Sequence, residues 1–305
     1  MTTLPPPSPL AAWLLACRPK TLPVSLSPVL VGSALAWQQQ AQLHWLPLLA
    51  ALLGAAFIQI GTNLFNDVGD FLRGTDRPGR LGPRRATAEG WLSPPAVARG
   101  AWTCFALAFL CGLQLVAHAG WPIVAIGLAS LAAGWAYTGG PRPIAYGPLG
   151  EVFVFIFFGL VAVGGSHYVQ TLTPALDALL VAAPVGLLAA AVISVNNYRD
   201  LDGDAASGKR TLAVRIGRPA MRRVYVGQLL LAHLCLLPLA LRLGPGLLLP
   251  LLSLPLTLRL ARRFVTAPVG PGLNALLAAT AGLQLVFSLL LALALTTFPA
   301  APGMR

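Results

Sequence analysis

Long uncharged stretches dominate the chain and are broken by short clusters of charge. No Asp, Glu, Lys or Arg lies between Lys20 and Asp67, or between Arg99 and Arg142. A bilayer core about 30 Å thick takes roughly 20 apolar residues as a helix, so each stretch has room for two spans. The pattern predicts them at Leu22–Trp37 and Leu46–Asn66, separated by Gln38-Gln39-Gln40, and at Gly100–Ala117 and Trp121–Thr138. Further spans are expected at Leu149–Val169, Leu176–Val195, Val224–Leu241, Leu247–Thr257 and Leu273–Phe298. The expected architecture is an all-α, polytopic membrane protein of about nine helices. It forms one domain over residues 1–305, with a proline-rich tail at 1–17.

Composition agrees. Hydrophobic residues make up 56% of the chain and charged residues 10%, against roughly 25% charged in a soluble domain. Mean hydropathy is +0.74, which excludes intrinsic disorder. The net charge of +12 does not indicate a nucleic-acid partner, because the bases punctuate apolar runs and do not coat a soluble face. They are an orientation signal: cytoplasmic loops carry the Lys/Arg excess. With the N-terminus cytoplasmic and the C-terminus outside, every Lys and Arg except Arg242 and Arg305 falls on the cytoplasmic side. The expected partner is therefore the lipid bilayer, and the expected location a bacterial cytoplasmic (inner) membrane. The opening MTTLPPPSPLAAW lacks the charged n-region of a signal peptide, so the first span reads as a retained anchor.

Only nine residues are acidic, and six of these form two clusters. Asp67, Asp70 and Asp76 follow Asn63 and Asn66 at the end of the second span. Asp200, Asp202 and Asp204 follow Asn196 and Asn197 at the end of the sixth. Carboxylates at a membrane edge are costly and by default mark a functional site. The segments 67–99 and 196–223 read as cytoplasmic loops on the same side, so the clusters can face each other across one central cavity open to the cytoplasm. Like charges at i, i+4 repel by a few tenths of a kcal/mol, and a bound cation removes that penalty. Oxygen-only ligands suit Mg²⁺, which leaves positions for substrate phosphates. Arg73, Arg199, Lys209 and Arg210 lie beside the acids and suit the same phosphates.

Blander readings compete. The clusters could be solvated helix ends paired with bases. A Ca²⁺ loop starting at Asp200 fails, because its Gly and Glu positions hold Ala205 and Thr211. The four cysteines are dispersed, with no CxxC, and read as packing residues. His44, His118 and His167 fall near outer span ends and read as interfacial.

Several strings carry a specific resemblance: Arg18-Pro-Lys20-Thr-Leu-Pro, the first acid cluster with its tail Gly74-Thr-Asp76-Arg77…Gly82-Pro-Arg84, Tyr137-Thr-Gly-Gly-Pro…Tyr146-Gly-Pro-Leu-Gly-Glu151, and Asn196-Asn197-Tyr-Arg199-Asp200. Over residues 18–217 the chain resembles the UbiA superfamily of intramembrane aromatic prenyltransferases. Within it, the likeness is to the menaquinone-pathway branch that prenylates 1,4-dihydroxy-2-naphthoate. The ubiquinone-type first motif carries an Asp where this chain has Gly74, which agrees with the menaquinone branch and weakens Asp76 as a ligand.

The resemblance implies a Mg²⁺-dependent transfer of a polyprenyl group from polyprenyl diphosphate to the naphthoate, with CO₂ lost. It implies two Mg²⁺ ions, one held by Asn66 and Asp70 and one by Asp200 and Asp204, with Asp67 and Asp202 in support. Asp67, Asp70, Asp200 and Asp204 are the implied catalytic acids. Arg73, Arg199, Lys209 and Arg210 would meet the diphosphate, and Arg18 or Lys20 the acceptor carboxylate. Asn63 and Asn196 would orient ligands. Tyr137 and Tyr146, with Phe65, Phe153, Phe157 and Tyr198, are candidates for an aromatic wall around the allylic cation. Alternatives are another aromatic acceptor, such as 4-hydroxybenzoate or homogentisate, and a cation or lipid-diphosphate transporter. A transporter is expected to place its site at the bilayer midplane.

Overall fold

In a computed structural model, residues 7–76 and 80–298 are described, and among them there are helices and no strands. A short helix, α1 (Pro9–Cys17), starts from Ser8 and Pro9 at its first turn and ends at Arg18 in the left-handed conformation (φ 53°). It turns the chain into α2 (Leu22–Gln40) and α3 (Trp45–Leu72). The pair α4 (Pro94–Ala119) and α5 (Trp121–Ala136) meets at Gly120, whose φ of 77° lets the chain reverse directly into Pro122.

The fifth expected span is interrupted. It comprises α6 (Gly150–Phe155), a π-helical turn (Ile156–Val161) and α7 (Ala162–Thr171). The bulge lies where backbones cross closely, since a Cβ on Gly159 would stand 2.7 Å from the Gly186 Cα. Membrane helices approach closely through such small residues. Gly186 belongs to α8 (Leu176–Ala206), the central helix, whose 31 residues extend about 46 Å at 1.5 Å each. The chain continues through α9 (Leu212–Leu234), α10 (Leu236–Leu243), α11 (Leu254–Thr266) and α12 (Leu273–Thr297).

Six of these helical stretches are long and apolar enough to cross a membrane, and the outer surface carries Leu and Trp throughout. The protein is an integral membrane protein. Each of the nine expected spans falls on a helical rod, with differences of detail. α5 has only 16 residues. The eighth span departs most: Pro245, Pro250 and Pro255 each lack an N–H donor, so residues Pro245–Ser253 wind as a 3₁₀ segment before α11 begins. The two segments expected as loops begin inside helices, since α3 continues through Asp67 and Asp70 and α8 through Asp200, Asp202 and Asp204.

The core around α8 is aliphatic and is punctuated by paired polar groups. Ser27 accepts from Gln284 (2.7 Å), Ser194 donates to Gln228 (2.8 Å), and Tyr225 pairs with Thr280 (2.8 Å). Each pair ties two helices together where an unpaired polar group would be costly. The two ends of the bundle differ in chemistry. Asp200, Asp202 and Asp204 close α8 at one end. At the other, Asp177 in its first turn pairs with Arg242, one of the two bases expected outside.

Candidate active site

A cavity of about 1480 Å³ opens at the acid end and runs into the bundle between apolar walls. Its polar mouth is lined by Arg18, Lys20, Asn63, Asn66, Asp70 and Asp76. Asn196, Arg199, Asp200, Asp204 and Lys209 complete it. Deeper, Phe153 and Phe157 stand with ring centroids 5.9 Å apart and planes 14° from parallel, and both line the wall. A polar end joined to a long apolar tunnel fits a ligand with a charged head and a greasy tail.

The two acid clusters, distant in sequence, meet at Lys209. Its Nζ lies 3.4 Å from Asp70 Oδ1 and 3.6 Å from Asp204 Oδ1, and 4.5 Å over the Tyr146 ring. Tyr146 sits in a 3₁₀ turn (Ile144–Tyr146) and donates its hydroxyl to Asp70 Oδ1 at 2.9 Å. Burial and the Asp70 charge push its phenol up to about 12. The second oxygen of Asp70 accepts from Arg85 at 2.8 Å.

Arg85 belongs to a strap, residues 80–92, that crosses the cavity mouth and also presents Arg80. Both arginines were missed from the sequence, where they read only as part of the basic loop. Asp67 holds the strap down. Its carboxylate accepts from the Ala86 amide at 2.9 Å, the Thr87 amide at 3.0 Å and the Thr87 hydroxyl. Asp67 therefore faces the strap and is not part of the cavity lining. Asn274 at the start of α12 also holds the strap, donating to the Leu81 carbonyl at 2.8 Å; its helix carries no charge to mark it.

Several expected residues behave differently from the sequence reading. Arg199 is 1% exposed and already fully engaged: Nε and Nη2 grip Asp200 (2.8 and 2.6 Å), Nη2 reaches Asn196 (2.9 Å), and Nη1 donates to Asn274 (2.7 Å). It links the second cluster to the strap. Asp202 projects to the rim, where its 77% exposed side chain pairs with Arg218, because two residues along a helix turn about 200° away from Asp200. Arg73 and Arg210 are exposed and stay off the cavity wall. Arg73 donates to the Gly140 and Gly69 carbonyls (2.9 and 3.3 Å). Phe65 packs against Trp102 and Phe105, and Tyr198 against Phe264. Tyr137 lines the cavity as expected. Asn63 braces the hinge before α2, donating to the Cys17 carbonyl and the Thr21 hydroxyl. That hinge carries Arg18, whose pKa is lowered by burial and by nearby Arg80.

Among the described residues no three acid, His or Cys side chains already converge on one point. Mg²⁺ requires only one or two carboxylates, with water and phosphate supplying the rest. Asp70, Asp76, Asp200 and Asp204 all border the cavity with hard oxygen donors, and the buried Asp76 Oδ2 has no partner among the described residues. Burial, opposed by Arg80, raises the Asp76 carboxyl to about 6, as expected where a cation would favour the charged form. The residues fit a hard divalent ion.

The fold and site define a membrane-embedded helical bundle with one amphipathic cavity, at whose mouth two acid clusters meet. Residues 25–274 match the UbiA prenyltransferase family, and the chain belongs to that family. It is 42% identical to 1,4-dihydroxy-2-naphthoate octaprenyltransferase of Escherichia coli over 74% of this chain and 75% of that one. Identity to the Mycobacterium tuberculosis protein of the same name is 39%, over 82% and 85%. To that of Bacillus subtilis it is 33%, over 93% and 91%. The fold matches a UbiA homolog from Archaeoglobus fulgidus bound to GPP and Mg²⁺, with TM-score 0.68 at 15% identity, covering 94% of this chain and all of that one.

Proposed function

We propose that this protein transfers a polyprenyl group from polyprenyl diphosphate to 1,4-dihydroxy-2-naphthoate, releasing CO₂ and diphosphate and giving demethylmenaquinone. The observation that carries the reading is the mouth itself. Lys209 bridges two acid clusters there, beside Arg80 and an Arg85 whose buried Nη1 has no partner among the described residues, all above an apolar tunnel. The names of the similar proteins favour dihydroxynaphthoate over 4-hydroxybenzoate or homogentisate. The site also lies at one end of the bundle, unlike a transporter's midplane site.

Asp70 with Asn66, and Asp200 with Asp204, are the residues that would hold Mg²⁺, as two ions; Asp76 is a further oxygen donor at the same wall. When bound, the metal supplies positive charge that stabilises the departing diphosphate. The protein's own cations do the same work electrostatically. Lys209, Arg80 and Arg85 meet the phosphate oxygens as the allylic C–O bond breaks and its electron pair leaves with diphosphate. Arg18 and Lys20 hold the acceptor carboxylate. Tyr137, Phe153 and Phe157 line the space in which the allylic carbon is cationic, and the apolar wall keeps water from it. The ring carbon bearing the carboxylate forms the new C–C bond. The electrons of its bond to CO₂ then return to the ring, so no net proton is released.

The reading places all nine rods across a cytoplasmic (inner) membrane, with the N-terminus and cavity mouth cytoplasmic and the C-terminus outside. It treats residues 1–305 as one domain. The test is mass spectrometry of products formed by purified protein with Mg²⁺, a polyprenyl diphosphate, and naphthoate and benzoate acceptors offered together. The expected product is the decarboxylated, prenylated naphthoquinol. Prenylated benzoate alone, or no product, overturns the reading.

A further inference from the structure

Glu151 is the acid for which the chemistry above has no use. It sits in the first turn of α6, 4% exposed, two residues before Phe153 of the cavity wall. Its Oε1 accepts from Asn197 Nδ2 at 2.9 Å, and its buried Oε2 has no hydrogen-bond partner among the described residues. A carboxylate in this enclosure is costly, so the single bond it makes calls for an explanation.

The explanation lies in what the bond does to Asn197. A side-chain amide has one donating and one accepting end, and rotation by half a turn exchanges them. Because Nδ2 donates backwards to Glu151 Oε1, Oδ1 is left facing forward. Asn197 borders the cavity, and among the described residues no donor reaches its Oδ1. The cavity wall therefore presents a pure acceptor of fixed direction one helical turn from Asp200, on the helix that packs against α6. The stacked Phe153 and Phe157 begin on the same stretch of wall.

We infer that Glu151 is a positioning residue that locks the Asn197 amide so that Oδ1 receives a ring hydroxyl of the aromatic acceptor. This rests on the proposed reaction and adds to it a site for selecting hydroxylated rings. A site built to accept from a hydroxyl discriminates strongly against an analogue that lacks the proton, because the buried acceptor is then left unpaired.

The test measures binding, without metal or prenyl diphosphate, by quenching of tryptophan fluorescence in purified protein. The ligands are 1,4-dihydroxy-2-naphthoate and its 1,4-dimethoxy analogue. The native protein is expected to prefer the dihydroxy compound by about tenfold or more. Glu151→Gln offers Asn197 either a donor or an acceptor, so the amide can flip, and the preference should fall to about threefold or less. The KM for prenyl diphosphate should stay within about twofold, a split that general loosening of the fold would not give. Asn197→Ala, with Glu151 intact, should lose the same discrimination and serves if Glu151→Gln melts early. Unchanged discrimination in both variants overturns the inference. So does a native protein that binds the two compounds equally, or a parallel rise in prenyl diphosphate KM. A native protein that neither binds the naphthoate nor converts it overturns the proposed reaction itself.

Discussion

Replacing Asp67 with Asn separates an anchor from a metal ligand. Asp67 receives two strap amides and a hydroxyl. Asn keeps one accepting oxygen and turns an N–H₂ toward a group that also donates. Hydrogen bonds to a charged group contribute about 1.5–3 kcal/mol each, and one backbone bond is certain to be lost. If the strap must be seated for Arg80 and Arg85 to reach diphosphate, that loss appears as about 10- to 150-fold weaker prenyl diphosphate binding. The assay is steady-state transfer by purified Asp67→Asn and Asp70→Asn proteins, titrated separately with prenyl diphosphate and with Mg²⁺. Limited trypsin digestion is run in parallel. Asp67→Asn should raise the KM for prenyl diphosphate and expose the strap at Arg84, with little change in Mg²⁺ dependence. Asp70→Asn should shift the Mg²⁺ titration while the strap, still tied by Asp67 and Asn274, is cut more slowly than in Asp67→Asn. Identical Mg²⁺ shifts in both, with no change in digestion, would show that Asp67 ligates the metal and that the anchoring argument is wrong.

Lys209→Met leaves Asp70 and Asp204 without their shared cation. Truncating one partner of a buried charged pair costs about 2–5 kcal/mol, so kcat/KM should drop at least about 30-fold, and Lys209→Arg should recover part of it. Arg73→Ala and Arg210→Ala, at exposed positions off the cavity wall, should change the prenyl diphosphate KM by less than about twofold. Gly159→Ala places a methyl group 2.7 Å from the Gly186 backbone. It should destabilise the protein by about 1–3 kcal/mol, read as a lower melting temperature in detergent. Chelation with EDTA should abolish transfer, and excess Mg²⁺ should restore it.

Charge-free intervals were enough to locate the helical rods, because a charge inside the bilayer is costly and leaves a visible gap in the sequence. The same reasoning brought the two acid clusters to one end, where Lys209 joins them. Finer placement failed for geometric reasons. At about 100° per residue, Asn66 and Asp67 occupy opposite edges of the face that Asp70 centres, so a single polar stripe faces the cavity on one side and the strap on the other. Spacing alone cannot say which edge is which. Helical rotation carries Asp202 from its neighbours to the cavity rim, where it pairs with Arg218. Arg80, Arg85 and Asn274 act through a strap whose path is set by contacts far apart in sequence, such as Asn274 with Leu81. Their residue types gave no local sign of that role.

Helix α12 closes the structure at two levels. Gln284 reaches back to Ser27 on α2, and Asn274 fastens the strap while receiving Arg199 from the second acid cluster. A chain lacking residues from 273 on has both acid motifs and all the mouth cations, yet lacks the Asn274 tie between strap and second cluster. Without α12 the strap would stay tied to the first acid cluster through Asp67 but would lose its tie to the second.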